Sequence, residues 1–362
     1  MNRSVVVAGA GIIGCAIARE LSARGVACTL VDPRPAGGGA TQASAGMLAP
    51  YVEAHAGGPM LDLCVRSLDL YDEWIGGLRA EGAAIEYRRI PTLEIALTEE
   101  RAEAMRSGHG EWMPAAGVAR LVPDLAPTAG ALRDDRHGYV DARQLVEALA
   151  GSAARHGSTF VAARVERIER RGQRFTIDLG PGRDALSSDA VVLTAGAWLN
   201  RIRGVRTPPL RPVRGQLLLH HGLLETTQRS VRSPAILWGP DCYIVPREHG
   251  PGLMIGATVE EAGFDEQPTE SGRAGLLDAA CALLPTLARD GVESVRVGLR
   301  PATPDELPVL GDDASEPGVF HASGHYRNGI LLSPITATLM ADLIADGRRD
   351  PALGHFSITR FV

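Results

Sequence analysis

Ser4-Val5-Val6-Val7-Ala8-Gly9-Ala10-Gly11-Ile12-Ile13-Gly14 is the stretch that decides the fold. The charge-free, β-branched run from Ser4 to Ala8 reads as a short buried strand. A helical pattern follows the glycines, with Ile13, Ala16, Ile17 and Leu21 on one face and Arg24-Gly25 ending it. A second strand, Ala27 to Val31, finishes at Asp32. This is a βαβ unit carrying the dinucleotide fingerprint in its expected context. Gly9 allows the tight turn, Gly11 lets the backbone approach a pyrophosphate, and Gly14 lets the helix pack closely on the strand. The helix N-terminus offers free N–H groups and partial positive charge to phosphates. Asp32 is placed to accept from both ribose hydroxyls. A glycine-rich turn without a ligand is the bland alternative, and the strand before and helix after it argue against that. The fingerprint alone does not separate NAD from FAD. Arg34 would suit an NADP phosphate, but Asp32 would repel it.

Outward from this unit, composition narrows the function. The chain has 362 residues, 45% hydrophobic and 22% charged, enough for a large core and two domains. A net charge of −6 leaves no basic excess for phosphates, and 4% aromatic content gives no stacking platform, so nucleic acid is not an expected partner. The five cysteines (Cys15, Cys28, Cys64, Cys242 and Cys281) are scattered, without a CxxC pair. They read as small buried hydrophobes in a reducing, cytoplasmic setting, not as disulfides or zinc ligands. Val5 to Ala18 has the apolarity of a signal-peptide core, but Ala8 to Gly11 fit a strand and turn better. No stretch reaches the roughly 18–20 apolar residues of a membrane span, so no membrane partner is expected.

No second fingerprint appears; Gly37-Gly38-Gly39 lacks the flanking strand and helix. Helices are expected at 61–80, at 141–156 from Asp141, and at 271–288. Strands are expected at 159–168, 174–179, 190–194, 213–220, 234–246, 252–259 and 293–299. The strand 190–194 runs into Thr194-Ala195-Gly196-Ala197-Trp198, where small residues let the backbone approach a ligand, or simply make a tight turn. The fold class is α/β, with a Rossmann-like domain interleaved with an antiparallel-sheet domain. The expected division gives 1–85, 136–212 and 300–362 to the first and 86–135 with 213–299 to the second.

Together these pieces resemble the D-amino-acid oxidase superfamily of flavoproteins, and within it the glycine oxidases of thiamine biosynthesis. Besides the βαβ unit, the resemblance rests on Ala45-Gly46-Met47-Leu48-Ala49-Pro50, on Gly298-Leu299-Arg300-Pro301 with Thr303-Pro304-Asp305, and on Gly324-His325-Tyr326-Arg327-Asn328-Gly329-Ile330-Leu331-Leu332. His137-Gly138-Tyr139-Val140-Asp141 and Pro212-Val213-Arg214-Gly215-Gln216 add to it. It implies non-covalent FAD between the domains, held by Gly9, Gly11, Ile12, Ile13, Gly14, Asp32, Pro33, Arg34, Ala45, Gly46, Met47, Val165, Thr194, Ala195, Gly196, Trp198, Arg300, and His325 through Ile330. Sarcosine oxidases of the superfamily tether flavin through a late cysteine; none of the five cysteines here lies after residue 281. Family members often carry Glu at position 32, and either acid holds a ribose.

An amino-acid oxidase must hold a carboxylate and orient Cα against flavin N5. Arg300, beside Pro301 at the end of a strand, suits the first task, since a guanidinium binds a carboxylate through two parallel bonds. The alternative is a surface arginine paired with Asp305 or Glu306. By resemblance, the Tyr243 hydroxyl assists the carboxylate and Met47 forms the pocket wall; a core tyrosine and a packing methionine are the alternatives. Arg327 contacts flavin or substrate, and His325 is structural or flavin-contacting rather than a general base. Ser333-Pro334 begins a helix, with Leu339, Met340, Leu343 and Ile344 buried, that Gly347 closes. The implied reaction is hydride transfer from a small amino acid, with dioxygen as acceptor, in a homotetramer. Rivals are a sarcosine or D-amino-acid oxidase, a dehydrogenase with another acceptor, and a non-catalytic nucleotide-binding protein.

Overall fold

The computed structural model describes residues 4–53, 57–225, 231, 233–250 and 252–361. Its first layer is a six-stranded sheet in the order Val309–Asp312, Val319–Ser323, Ala190–Leu193, Ser4–Ala8, Ala27–Asp32 and Thr159–Ala162. All neighbours are parallel except the first pair. The Ser4–Ala8 strand is apolar and buried from Val5 onward because both of its faces are covered. Val5 and Val7 face a core shared with helices Ile12–Ala23, Gly58–Ala80, Ala142–Arg155 and Ser333–Asp346. Val6 and Ala8 face the three-stranded meander Arg167–Arg171, Arg174–Asp178 and Leu186–Ser188.

The second layer is an eight-stranded sheet in the order Val292–Ala302, Arg211–His220, Leu253–Gly256, Tyr243–Pro246, Ile236–Trp238, Thr92–Ala96, Gly130–Asp134 and Glu111–Pro114. Ile236–Trp238 and Thr92–Ala96 pair in parallel, and the rest antiparallel. A small sheet of Met47–Leu48, Gly138–Val140 and Tyr87–Arg88 lies alongside. The α/β class with a parallel nucleotide-type sheet and a large antiparallel sheet is thus as expected.

Several boundaries differ. The helix expected from 61 starts at Gly58, with Pro59 in its first turn. The run 159–168 is two strands in different sheets, because the chain crosses from the six-stranded sheet to the three-stranded meander at 163–166. The run 234–246 is likewise two strands, Ile236–Trp238 and Tyr243–Pro246, folded on each other. The 252–259 strand ends at Gly256, and the 271–288 helix is Glu270–Leu283, capped by Thr269. Arg300 lies inside Val292–Ala302, not at its end. That strand is the sheet's edge, where a proline such as Pro301 is tolerated. Nothing in the sequence announced Thr92–Ala96 as a strand, for all five of its residues, Glu94 included, are buried and the polar alternation is missing. Four of the five cysteines, Cys15, Cys28, Cys64 and Cys242, are buried. Among the described residues no helix is long and apolar enough to cross a membrane.

Candidate active site

Between the two large sheets lies a cavity of about 390 Å³. Gly9, with φ +118°, turns the chain out of the first strand, and a Cβ there would stand 2.5 Å from the Thr194 carbonyl oxygen. Thr194 in turn donates to the carbonyls of Ala8 and Gly9, at 3.0 and 2.8 Å. A Cβ on Gly14 would fall 1.9 Å from the Gly9 oxygen, so helix and turn meet backbone to backbone. Gly14 is the one expected site residue that does not line the cavity; it acts from behind. Gly46, with φ +72°, presses on the Val140 carbonyl, where a Cβ would come within 1.7 Å.

The turn's polar groups have partners within the chain. The first helical amide, expected to be free, is not: Ile12 N–H donates to Thr41 Oγ1 at 3.0 Å. Asp32 is engaged as well. Its two oxygens accept from the backbone N–H groups of Ala10 and Arg34, each at 2.9 Å. A carboxylate has about four acceptor sites, so capacity for hydroxyls remains. Arg34 is committed elsewhere, its guanidinium bidentate to Glu266 at 2.8–2.9 Å and stacked 4.3 Å over Trp198.

The other expected residues, Pro33, Ala45, Met47, Val165, Ala195, Gly196 and His325 to Ile330 among them, line the same cavity. Tyr326 holds φ +47° at its mouth and donates its N–H to the Pro301 carbonyl at 3.1 Å. Among the described residues, the Asn328 side-chain oxygen is buried without a hydrogen-bond partner. His325 is buried with Nε2 3.0 Å from Thr336 Oγ1, and burial pushes its pKa down to about 3. It is a neutral ring. Arg327 is exposed at the rim.

On the antiparallel side, Arg300 and Tyr243 enter the cavity from strands separated by two others. Among the described residues Arg300 pairs with no carboxylate. Its Nη1 donates to the carbonyls of Thr258 at 2.9 Å and Arg214 at 3.5 Å. The suggested acidic partners are engaged elsewhere: Asp305 with Arg360, and Glu306 nearest Arg211. Tyr243 stacks on Trp238 with ring centroids 5.5 Å apart, and Met47 packs against the same cluster. Both polar side chains lie over glycine. A Cβ on Gly215 would be 2.3 Å from Arg300 Nη1, and one on Gly256 would be 2.4 Å from the Tyr243 hydroxyl. Gly215, Gly256, Thr41, Trp238 and Arg201 also line the cavity. No local pattern gave them a place in the site, since segments far apart in the sequence bring them together.

The dimensions and chemistry fit FAD. Glycines clear a path for a long ligand, Asp32 stands at the ribose end, and the orphaned Asn328 oxygen awaits a donor at the other. Fold and site define a dinucleotide-dependent oxidoreductase whose substrate side presents a fixed cation. The chain belongs to the DAO family of FAD-dependent oxidoreductases, whose pattern matches residues 4–343. It is 35% identical to a bifunctional protein ThiO/ThiG of Nostoc sp., covering 99% of this chain and 55% of that one. The chain thus spans about half the length of such relatives. A glycine oxidase of Geobacillus kaustophilus is 33% identical, over 99% of this chain and 97% of its own length. The crystal structure of a glycine oxidase from that species superposes with a TM-score of 0.89, 31% identity and 99% and 100% coverage.

Proposed function

We propose that the chain oxidises a small amino acid, glycine foremost, to its imine, which water opens to glyoxylate and ammonia or which passes to thiazole synthesis for thiamine. Glycine, dioxygen and water are consumed; glyoxylate, ammonia and hydrogen peroxide are formed. Bound FAD would accept the hydride and deliver two electrons to dioxygen. Arg300 holds the substrate carboxylate through its remaining N–H groups, and the Tyr243 hydroxyl donates a further bond. Met47 walls the pocket, and Arg327 serves the rim, toward flavin or substrate. His325, neutral and tied to Thr336, is a poor base. The amine therefore enters already neutral, and no protein base is required.

The observation that carries this reading is the Arg300 guanidinium, which lines the cavity and meets only backbone carbonyls among the described residues. The names of relatives similar over nearly their whole length, glycine oxidases, support it. The same reading includes a cytoplasmic homotetramer, which light scattering checks. The decisive experiment is oxygen uptake with glycine, sarcosine, D-alanine and D-proline after the visible spectrum is recorded. A flavin spectrum with fastest turnover on glycine or sarcosine is expected. A flavin bleached by substrate but not restored by oxygen would make this a dehydrogenase, and a colourless protein would overturn the reading.

A further inference from the structure

A second cavity, of about 210 Å³, shares no lining residue with the first. That volume is far above the ~10–15 Å³ one water needs. It lies on one face of the Thr92–Ala96 and Gly130–Asp134 strands, beneath the helix Glu99–Met105 and beside Tyr51. Thr92 pairs with Asp134 and Glu94 with Leu132, so these four side chains share one face of the sheet. Three of the four are polar and all are buried, an arrangement a sheet under a helix does not need for packing.

The polar atoms there are not all satisfied. Among the described residues, Thr92 Oγ1 and both ring nitrogens of His137 are buried without hydrogen-bond partners. Thr92 is 1% exposed and His137 not exposed at all. Buried polar groups left unpaired are costly, so such a set points to an absent partner.

Charge decides the partner's sign. Asp134 and Glu94 side chains are 6% and 10% exposed, while their arginines, Arg136 and Arg101, are 51% and 56% exposed. The carboxylates thus face inward; Arg136 lies outside the lining, and Arg101, paired with Glu94, lines the cavity with its side chain half exposed. Arg136 also covers the Tyr51 ring from 3.6 Å, and His109 packs tilted against that ring at the mouth. Burial pushes His137 down to about 4, so its ring is neutral near pH 7. Asp134 Oδ2, 3.6 Å from Nε2, favours the proton on that nitrogen and leaves Nδ1 as an acceptor. Thr92 Oγ1, Asp134 and His137 Nδ1 therefore present acceptors that match an N–H donor. Among the described residues no three His, Cys, Asp or Glu are gathered as metal ligands.

We infer that this cavity binds a small organic ammonium ion, its N–H groups on Thr92, Asp134 and His137 and its carbon chain against Leu132 and Met105. The site is independent of the flavin chemistry. The probe is n-butylammonium, titrated calorimetrically into the flavin-loaded protein against n-butanol and butyrate as neutral and anionic counterparts. It should bind at least about tenfold more tightly than either, the scale of one charge-assisted bond. Thr92→Val should weaken it by about fivefold or more. Ala104→Trp, which plugs the exposed mouth from the helix surface, should abolish binding and leave turnover unchanged. Crystals soaked in the probe should place its nitrogen in hydrogen-bond reach of Thr92 and Asp134. Equal affinity for the three probes, undiminished binding in Ala104→Trp, or water alone in the soaked cavity would each overturn the inference.

Discussion

The guanidinium of Arg300 rests directly on the α-carbon of Gly215, with room for hydrogen and for nothing larger. A Cβ at Gly215 would lie 2.3–2.4 Å from three guanidinium atoms. Gly256 stands in the same relation to the Tyr243 ring. The carboxylate-binding side chains of the proposed site are thus laid flat on two bare stretches of sheet. Thr258 and Arg214 carbonyls fix Arg300 from the strand side, and Trp238 fixes Tyr243. Little rotamer freedom remains to be lost when a ligand arrives.

Gly215→Ala should therefore act as a mild copy of Arg300→Ala. The methyl group displaces the guanidinium without removing it. Charge-assisted bonds contribute roughly 1.5–3 kcal/mol, so Arg300→Ala should raise KM for glycine by about tenfold to a hundredfold. Gly215→Ala should reach a good part of that rise. Both should keep their flavin spectrum. Steady-state kinetics with an absorbance scan checks this, and an unchanged KM in Arg300→Ala would remove that residue from carboxylate binding.

Gly14→Ala should have the opposite signature, lost cofactor rather than lost substrate affinity. The added methyl would meet the Gly9 carbonyl at 1.9 Å and Thr194 Oγ1 at 2.9 Å, forcing helix and turn apart. Asp32→Ala should act in the same direction by freeing the Ala10 and Arg34 amides. Purified Gly14→Ala should carry a small fraction of wild-type flavin, recovered at most partly by added FAD. Full flavin content would show that the close approach is dispensable.

These two regions differ in how far the sequence disclosed them. Gly9, Gly11, Gly14 and Asp32 belong to a local strand–turn–helix–strand unit whose whole signature lies within about thirty residues. Arg300, Tyr243 and Met47 were legible only through resemblance, because strand register brings them together, not spacing. The glycine floors at Gly215 and Gly256 escaped notice for the same reason. So did Thr41, which occupies the Ile12 amide from a segment that reads as a loop. The strands at 92–134 escaped for another reason: their inward face carries Thr92, Glu94 and Asp134, which hides the apolar alternation.

Glu86 was also invisible in the sequence, yet it anchors the junction between the sheets. It is bridged by both Arg247 Nε and Nη2, at 3.0 and 3.1 Å, and by Tyr139 Oη at 2.8 Å. Arg247 also pairs with Asp141, the N-cap of the Ala142–Arg155 helix. The Arg247 and Glu86 side chains are 7% and 1% exposed. Removing one partner of such a pair strands a buried charge and costs about 3–5 kcal/mol. Arg247→Ala should thus lower the denaturation midpoint substantially, whereas Arg247→Ala with Glu86→Gln should recover part of the loss. Denaturant titration of the single and double variants checks this.

Acid should weaken the fold through its buried histidines before it reaches the carboxylates. Burial holds His325 down to about 3 and His137 down to about 4, against an ordinary value near 6.5. Between those values and 6.5 the unfolded chain binds a proton at each position that the folded chain does not. Stability then rises with pH, by at most about 1.4 kcal/mol per pH unit for each histidine, and is complete above the unfolded value. It should drain away as pH falls from about 6.5 toward 4. His137→Phe removes one of these titrations, so its melting temperature should fall less steeply over that window than the wild type's. Thermal melts at half-unit steps measure the difference in slope. Parallel curves would mean that His137 takes up its proton within the folded protein, through Asp134, at no cost to stability.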